Sequence, residues 1–453
     1  MKKKSIYGLV VCFLSIILII LAWNYRQKNK PIVLEFGMFA ESNWDVKNAN
    51  AYVIIDDAIK KFEKEHPGVK VHYETGIRKE DYSEWLDRKI LEGETPDVFM
   101  VLSDDFYKYV SLNVISDLDN QIANDRNFKK EYFFDTVLDI GKYHESQYAL
   151  PYEVVPTLMF VNKTLLEQEG IEVPNENWTW STMEQIVDQI TKDKNGDGVI
   201  DQFGTYNYTW KEAVYSNGAE LFDKDGKKAF FSGTKVNEAV KFVKKLNEMN
   251  GGREVTQNDF DSGNVAFMPL AFSEYRTYKT YPYKIKKYTS FQWECTSMPA
   301  GPEGHNTSEV DALLMTIGNK SKHKELAWEF LKMLTSDSSI QREIFEYSQG
   351  ASVLKYVTGS RYAESMIRKD MDVDERVIDN RLLIDAIENG RINPKFSKYP
   401  EAMALAENEI DDIYKNETSF FIFLTDCDGA EIEDVNSGYV VIEDNVEIGA
   451  NTC

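Results

Sequence analysis

Ile32-Val33-Leu34-Glu35-Phe36, then Ile55, Ala58, Ile59 and Phe62 at helical spacing, then Val69-Lys70-Val71-His72-Tyr73 beyond the stop His66-Pro67-Gly68, is the stretch on which the fold turns. The apolar positions in the middle recur at three and four residues, so they line one face of a helix, and Pro-Gly ends it. The flanking runs have strand composition, so the whole reads as strand, helix, strand. Working outward, Tyr82, Trp85, Leu86 and Ile90 give a second helical stripe that stops at Gly93 and leads through Pro96 into Asp97-Val98-Phe99-Met100-Val101-Leu102. So apolar a run suits a strand buried on both faces. The sheet is expected to be parallel and covered on both sides.

The same texture continues downstream. Ser181-Thr182-Met183-Glu184 has the form of a capping box, followed on one face by Ile186, Val187 and Ile190. Helices are expected over Val236 to Met249 and Lys324 to Leu334, strands over Val265 to Leu270 and Ala312 to Ile317, and a nearly all-helical region over 360–414. This is an α/β pattern.

Charge and motifs exclude several functions. The 453 residues carry 52 Lys and Arg against 75 Asp and Glu, a formal net charge of −23. Six of the cations and none of the acids fall in the first thirty residues, so the rest is still more acidic and repels polyanions such as nucleic acid. With 43 % hydrophobic residues the chain has enough apolar surface for two to three cores. Cys12, Cys295, Cys427 and Cys453 have no metal-ligand spacing, and the histidines never occur as HxxxH or HExxH. There is no GxSxG, Walker loop or GxGxxG.

Ser5 to Tyr25 is uncharged. As a helix it is roughly 31 Å long, enough to cross a bilayer. Trp23 and Tyr25 suit an interfacial belt, and Lys2-Lys3-Lys4 favours a cytoplasmic N-terminus, which leaves the body outside. A retained anchor over residues 1–30 is the expectation. A cleavable signal peptide and a lipoprotein are the alternatives; Leu21-Ala22-Trp23-Asn24 lacks the small residues of a cleavage site, and Val11 before Cys12 is unlike a lipoprotein site.

Six segments stand in order: Phe62-Glu63-Lys64-Glu65-His66-Pro67-Gly68-Val69-Lys70-Val71; Thr95-Pro96-Asp97-Val98; Ala149-Leu150-Pro151-Tyr152 with Leu158-Met159-Phe160-Val161-Asn162-Lys163 and Trp178-Thr179-Trp180-Ser181-Thr182-Met183; Gly263-Asn264-Val265-Ala266-Phe267-Met268; Met298-Pro299-Ala300-Gly301-Pro302; and Ser321-Lys322-His323-Lys324-Glu325-Leu326-Ala327-Trp328-Glu329-Phe330-Leu331. Together they resemble the bacterial extracellular solute-binding proteins of the family 1 type. Val161 departs from the family's usual tyrosine or tryptophan, and Ala271-Phe272-Ser273-Glu274-Tyr275 from its glycine and tryptophan. The resemblance covers about 32 to 418 and implies two doubly wound lobes joined by a three-crossover hinge, a periplasmic-binding-protein-like fold of type II, with solute enclosed between them. Crossings are expected near Val154-Thr157, Pro299-Gly304 and Gln349-Val353. The first lobe is then 31–155 with 300–347, and the second 156–299 with 348–418.

Ligands of open α/β sheets lie beyond the carboxyl ends of strands, and sugars are held by aromatic faces and planar polar groups. These rules select Trp44, Asp104, Asp105, Tyr152, Glu153, Trp210, Glu274, Tyr275, Asp311 and Ser348 with its neighbour Gln349 as ligand-binding candidates, and assign Trp178 and Trp180 to packing. Asp193, Asn195, Asp197 and Asp201 stand at positions 1, 3, 5 and 9 of an EF-hand-like loop, with Gly204 where the glutamate belongs. The loop is expected either to bind calcium weakly or to be a plain turn.

The tail 419–453 changes texture, and its last twelve residues, Ile442 to Cys453, form two hexapeptides that resemble the repeats of UDP-acylglucosamine N-acyltransferases. Two hexads close no coil, so this reads as a fusion, frameshift or assembly artefact without acyltransferase activity. The resemblance implies a carbohydrate or related solute, no catalysis, and ABC permease subunits as partners. An anchored carbohydrate-processing enzyme and a sensory binding protein for a membrane receptor are the alternatives.

Overall fold

The computed structural model describes residues 31–44, 46, 50, 52–224, 226–280, 291–369, 378–396 and 398–415, with the backbone of 440–441. The uncharged span 5–25 and the hexapeptides 442–453 lie outside the described residues. Among those described, no helix is long and apolar enough to cross a membrane.

The strands are β1 (Ile32–Gly37), β2 (Val69–Tyr73), β3 (Val98–Val101), the hairpin of β4 (Lys142–Tyr143) and β5 (Ser146–Gln147), β6 (Leu150–Asn162), β7 (Phe203–Thr205), β8 (Lys228–Ala229), β9 (Val265–Ala271), β10 (Trp293–Thr296), β11 (Val310–Ile317), β12 (Ala351–Ser352) and β13 (Val440–Val441). One sheet runs β2-β1-β3-β11-β6-β9-β7, with β10 and β12 also on β6. β1, β2 and β3 are parallel, as the opening stretch predicts. The expectation of a parallel sheet fails at β11, which is antiparallel to both β3 and β6, and at β9, which is antiparallel to β6. The reason is topological: β11 brings the chain back from the other half of the molecule and enters the sheet from the opposite end.

β6 explains the two halves. Residues 150–156 pair with β11, and from Thr157 onward the partner is β9, Thr157 facing Ala271. One continuous strand therefore serves both half-sheets, and its change of partner falls within the first expected crossing. The chain returns along 305–310, later than the expected Pro299-Gly304: Ala300 is still bridged to Thr179 and Gly301 and Glu303 still donate to Ser216 and Asn217, whereas Val310 faces Pro156.

The third passage differs from expectation. The segment after Tyr347 does not leave the first half, because β12 pairs with β6 at Val154 and Glu153. Helix Asn380–Glu388 packs on helix Asp135–Ile140 and β6, and Thr136 Oγ1 donates to the Glu388 carbonyl at 2.6 Å. The chain crosses at 389–398 instead, after which Ala402, Met403, Ala406 and Ile410 of helix Tyr399–Lys415 join the second core. The expected block 348–418 therefore does not stay together; 348–369 and 378–388 pack with the first half because their apolar residues (Val357, Leu382, Leu383, Ile387) cover that core.

Local chemistry accounts for the helices. Val53–Glu65 buries Ile54, Ile55, Ala58 and Phe62, and Lys324–Ser336 buries Ala327, Phe330, Leu331 and Leu334. The Phe330 ring meets Phe36 and Phe62 with centroids 5.5 and 5.0 Å away, so strand and both helices share one aromatic contact. Helix Trp180–Ile190 starts earlier than the capping box predicts. Its cap is Thr179, which accepts from the Thr182 N–H, since the Trp180 N–H is already engaged by the Ala300 carbonyl. Trp178 and Trp180 are buried, Trp180 stacking on Phe242 at 4.4 Å.

Candidate functional site

The carboxyl ends of β1 and β3, the start of β11 and the first half of β6 meet at one end of the first half-sheet. A pocket there is walled by Phe39, Met100, Tyr152 and Leu313 and carries the polar groups of Glu41, Ser42, Asn43, Asn50, Glu153 and Ser348. Tyr152, Glu153 and Ser348 were selected from sequence, and the structure brings them together. Glu153, 3 % exposed, accepts from Ser348 Oγ at 2.7 Å and from the Gly350 N–H. Burial raises its pKa above the ordinary carboxylate value; the two hydrogen bonds, Trp44 and the positive charge of Arg276 partly offset this. Trp44 thus stands close to Glu153, but its indole N–H is buried without a hydrogen bond. A buried donor near a carboxylate offers complementary contacts to a hydroxyl, which both donates and accepts.

A second polar group lies beside the returning crossing. Asp311 accepts from Ser103 Oγ at 2.9 Å and from its neighbour's N–H at 2.8 Å, and burial raises its pKa. Asp104 is exposed, and its charge raises the pKa of Asp311 further. Asp105 turns the other way: it takes Ser83 Oγ at 2.5 Å and Lys108 at 2.6 Å and fastens two helices, because one residue's rotation on a helix redirects the side chain by about 100°.

Glu309, Asn393 and Lys395 went unselected. Asn393 donates to Glu309 at 2.6 Å and accepts from the Tyr215 hydroxyl at 2.7 Å, joining both crossings to the second half. Burial raises the Glu309 pKa to about 7, with Asp311 adding repulsion. The Lys395 ammonium lies over the Phe106 ring at 4.6 Å, is buried without a hydrogen bond, and has its pKa lowered by burial to about 7. Asn393 and Lys395 follow helix Asn380–Glu388 and no strand, so only the place of the third crossing at 389–398 could have pointed to them.

In the second half the expectations divide. Glu274 is half-buried, accepts from the Ala271 N–H at 3.0 Å, and has its pKa raised by burial. Tyr275 is 3 % exposed and packs against Phe160 and Phe272 at 5.3 and 6.0 Å. Trp210, 2 % exposed, lies in the second core beside Phe231. Both aromatic rings are core residues rather than cleft faces: the helix that carries Tyr275 packs on β6 and β9, and the helix opened by Trp210 packs on helix Thr234–Met249. The capping box that opens the Trp210 helix, Thr209 with Glu212, fixes its start.

The 193–201 loop folds around its own oxygens. Asp193 accepts from the N–H groups of Gly196 and Gly198 at 2.7 and 2.6 Å, and Asp201 from Lys194 and Asn195 at 2.7 and 2.9 Å. Asp197 accepts from Val199 at 2.9 Å. Among the described residues no group of three or more His, Cys, Asp or Glu side chains is placed to hold a metal ion.

The architecture has known counterparts. The sugar-binding protein MalE of Xanthomonas citri superposes with a TM-score of 0.69 at 17 % identity, over 85 % of this chain and 93 % of that one. A substrate-binding protein of an ABC system from Listeria monocytogenes, solved with cycloalternan, gives 0.63 at 17 % identity over 86 % and 95 %. In sequence, a binding protein of Brucella abortus is 25 % identical over 290 residues, 62 % of this chain and 67 % of that protein. The model of the bacterial extracellular solute-binding proteins matches residues 48–340, and the chain belongs to that family.

Proposed function

We propose that the protein captures a carbohydrate between its two halves outside the cell and delivers it to an ABC permease, with no chemistry of its own. The observation that carries this reading is the polar pocket around Glu153, on the one strand that both half-sheets share. A ligand held there touches the first half and is covered by movement of the second about β6. The Listeria neighbour was solved with cycloalternan and a Streptomyces glaucescens receptor with acarbose, which supports a sugar as the solute class. The relatives are binding proteins, which supports the absence of catalysis.

The test is thermal unfolding of the body against a panel of sugars and oligosaccharides. A ligand that binds the folded state alone at a hundred times its dissociation constant adds about 2.7 kcal/mol and raises the melting temperature. A panel without any response overturns the carbohydrate reading. Retention through the 5–25 span belongs to the same proposal: the full-length protein should sediment with membranes, and an intact mass starting near residue 25, or carrying lipid on Cys12, would contradict it. So does weak calcium binding by the 193–201 loop: millimolar calcium should raise the melting temperature, and Asp197→Ala should abolish the rise. If that variant responds as the parent does, the loop is a turn.

A further inference from the structure

The turn 348–350 touches the pocket on one side and the second half of the molecule on the other. Toward the pocket, Ser348 Oγ and the Gly350 N–H both donate to Glu153 Oε1. The seating is tight: a Cβ on Gly350 would stand 2.4 Å from both Cγ and Oε1 of Glu153. Away from the pocket, the Arg276 guanidinium donates to the carbonyls of Ile344 at 3.3 Å, Gly350 at 3.1 Å, and Phe345. It also lies over the Phe345 ring at 5.8 Å.

Each part of this arrangement has a physical reason. Ile344 and Phe345 are in the last turn of helix Ser338–Tyr347, where the helix dipole is negative; the Ile344 carbonyl accepts the Ser348 N–H as well as Arg276, and the Phe345 carbonyl accepts from Arg276. A guanidinium satisfies several of them at once because its donors diverge in a fixed plane. Arg276 itself stands on helix Phe272–Thr280, which leaves the carboxyl end of β9, a strand of the second half-sheet. Helix Ser338–Tyr347 packs on Val53–Glu65 in the first half. Gly350 is therefore held from both directions, its N–H by Glu153 and its carbonyl by Arg276.

We infer that Arg276 is a positioning residue: it presses the 348–350 turn onto Glu153 and so ties the orientation and charge of that carboxylate to the second half of the molecule. The significance of Glu153 for solute rests on the function proposed above; the coupling itself does not. Among the described residues, Arg276 is the cation that acts on Glu153, and its charge favours the ionised form against burial. Among the same residues, the other titratable groups near the carboxylate are Glu41 across the pocket and Tyr152 on the same strand, with Glu343 of helix Ser338–Tyr347 acting on Tyr152.

The experiment needs no solute. The carboxyl carbon of Glu153 is followed by NMR through a pH titration of the isotope-labelled body, assigned by its absence in Glu153→Gln. The parent is compared with Arg276→Gln and Arg276→Lys, with thermal unfolding as the check on folding. Loss of a facing cation should move the Glu153 midpoint upward by about half to one pH unit in Arg276→Gln. Arg276→Lys, which keeps the charge without the fork, should move it less. An unchanged midpoint in both variants would overturn the inference. If Arg276→Gln does not fold, an unshifted chemical shift and midpoint in Arg276→Lys would do the same, since the turn could not then depend on the guanidinium geometry. A sugar panel without response would leave this result standing and overturn the proposed function alone.

Discussion

Glu309 carries the sharpest pH prediction, because a raised carboxylate pKa is also a stability term. With its folded pKa near 7 against an ordinary 4.5, the stabilisation is complete below the unfolded value and is lost as pH rises through about 7. Asp311, Glu212 and Lys211 are the charged groups that act on it, and Asn393 donates to it. Glu309→Gln keeps an acceptor for Asn393 and removes the charge. At pH 8 the variant should be more stable than the parent by on the order of 2 kcal/mol, and at pH 4 nearly equal to it. Urea unfolding at the two pH values checks this; equal differences at both would show that Glu309 does not titrate as argued. At the site itself, Glu153→Ala should weaken binding of a responding sugar by about 1 to 3 kcal/mol. Tyr275→Ala should act otherwise, lowering the melting temperature more than the affinity, since a buried aromatic truncated to alanine costs about 3 to 5 kcal/mol of folding. Isothermal titration beside thermal unfolding separates the two; equal loss of affinity in both variants would return Tyr275 to the site.

Elements were legible where one face of a helix or a whole strand is apolar. Ile55, Ala58 and Phe62 lie inward as their spacing requires, and β3 is buried along its whole length, as its composition requires. Phe330 illustrates the energetic content: it is fully buried between β1 and helix Val53–Glu65, so Phe330→Ala should cost about 3 to 5 kcal/mol, read as a lower urea midpoint. An unchanged midpoint would mean that this contact does not support the first core. Helix starts were less legible, because the hydrogen bond that decides them comes from elsewhere in the chain. Thr179, not Ser181, caps its helix once the Ala300 carbonyl has taken the Trp180 N–H. Asp105 and Trp210 were lost as site residues for a related reason: position at a strand end is visible in sequence, but the direction of the following helix is not.

For the whole molecule the prediction is hinge closure. β6 and the passages at 305–310 and 389–398 are the connections described between the halves, and a solute touching both halves stabilises the closed form. Small-angle scattering should give a slightly smaller radius of gyration with a responding sugar, and chromatography after long incubation should return that sugar unchanged. Conversion into products would contradict a transport receptor even with closure observed.

The sequence by itself determined the α/β class, the first βαβ unit, the family and three members of the pocket, Tyr152, Glu153 and Ser348. These follow from periodicity and from short ordered motifs, which are local. Tertiary structure alone decided the direction of β11, the place of the third crossing, and the neighbours that govern the acids. Asn393 meets Glu309 across 84 residues of chain, and Arg276 meets the Gly350 carbonyl across 74. No pattern within a helix or strand encodes such distant contacts; they exist because β6 runs through both half-sheets and brings their connecting segments to the same end.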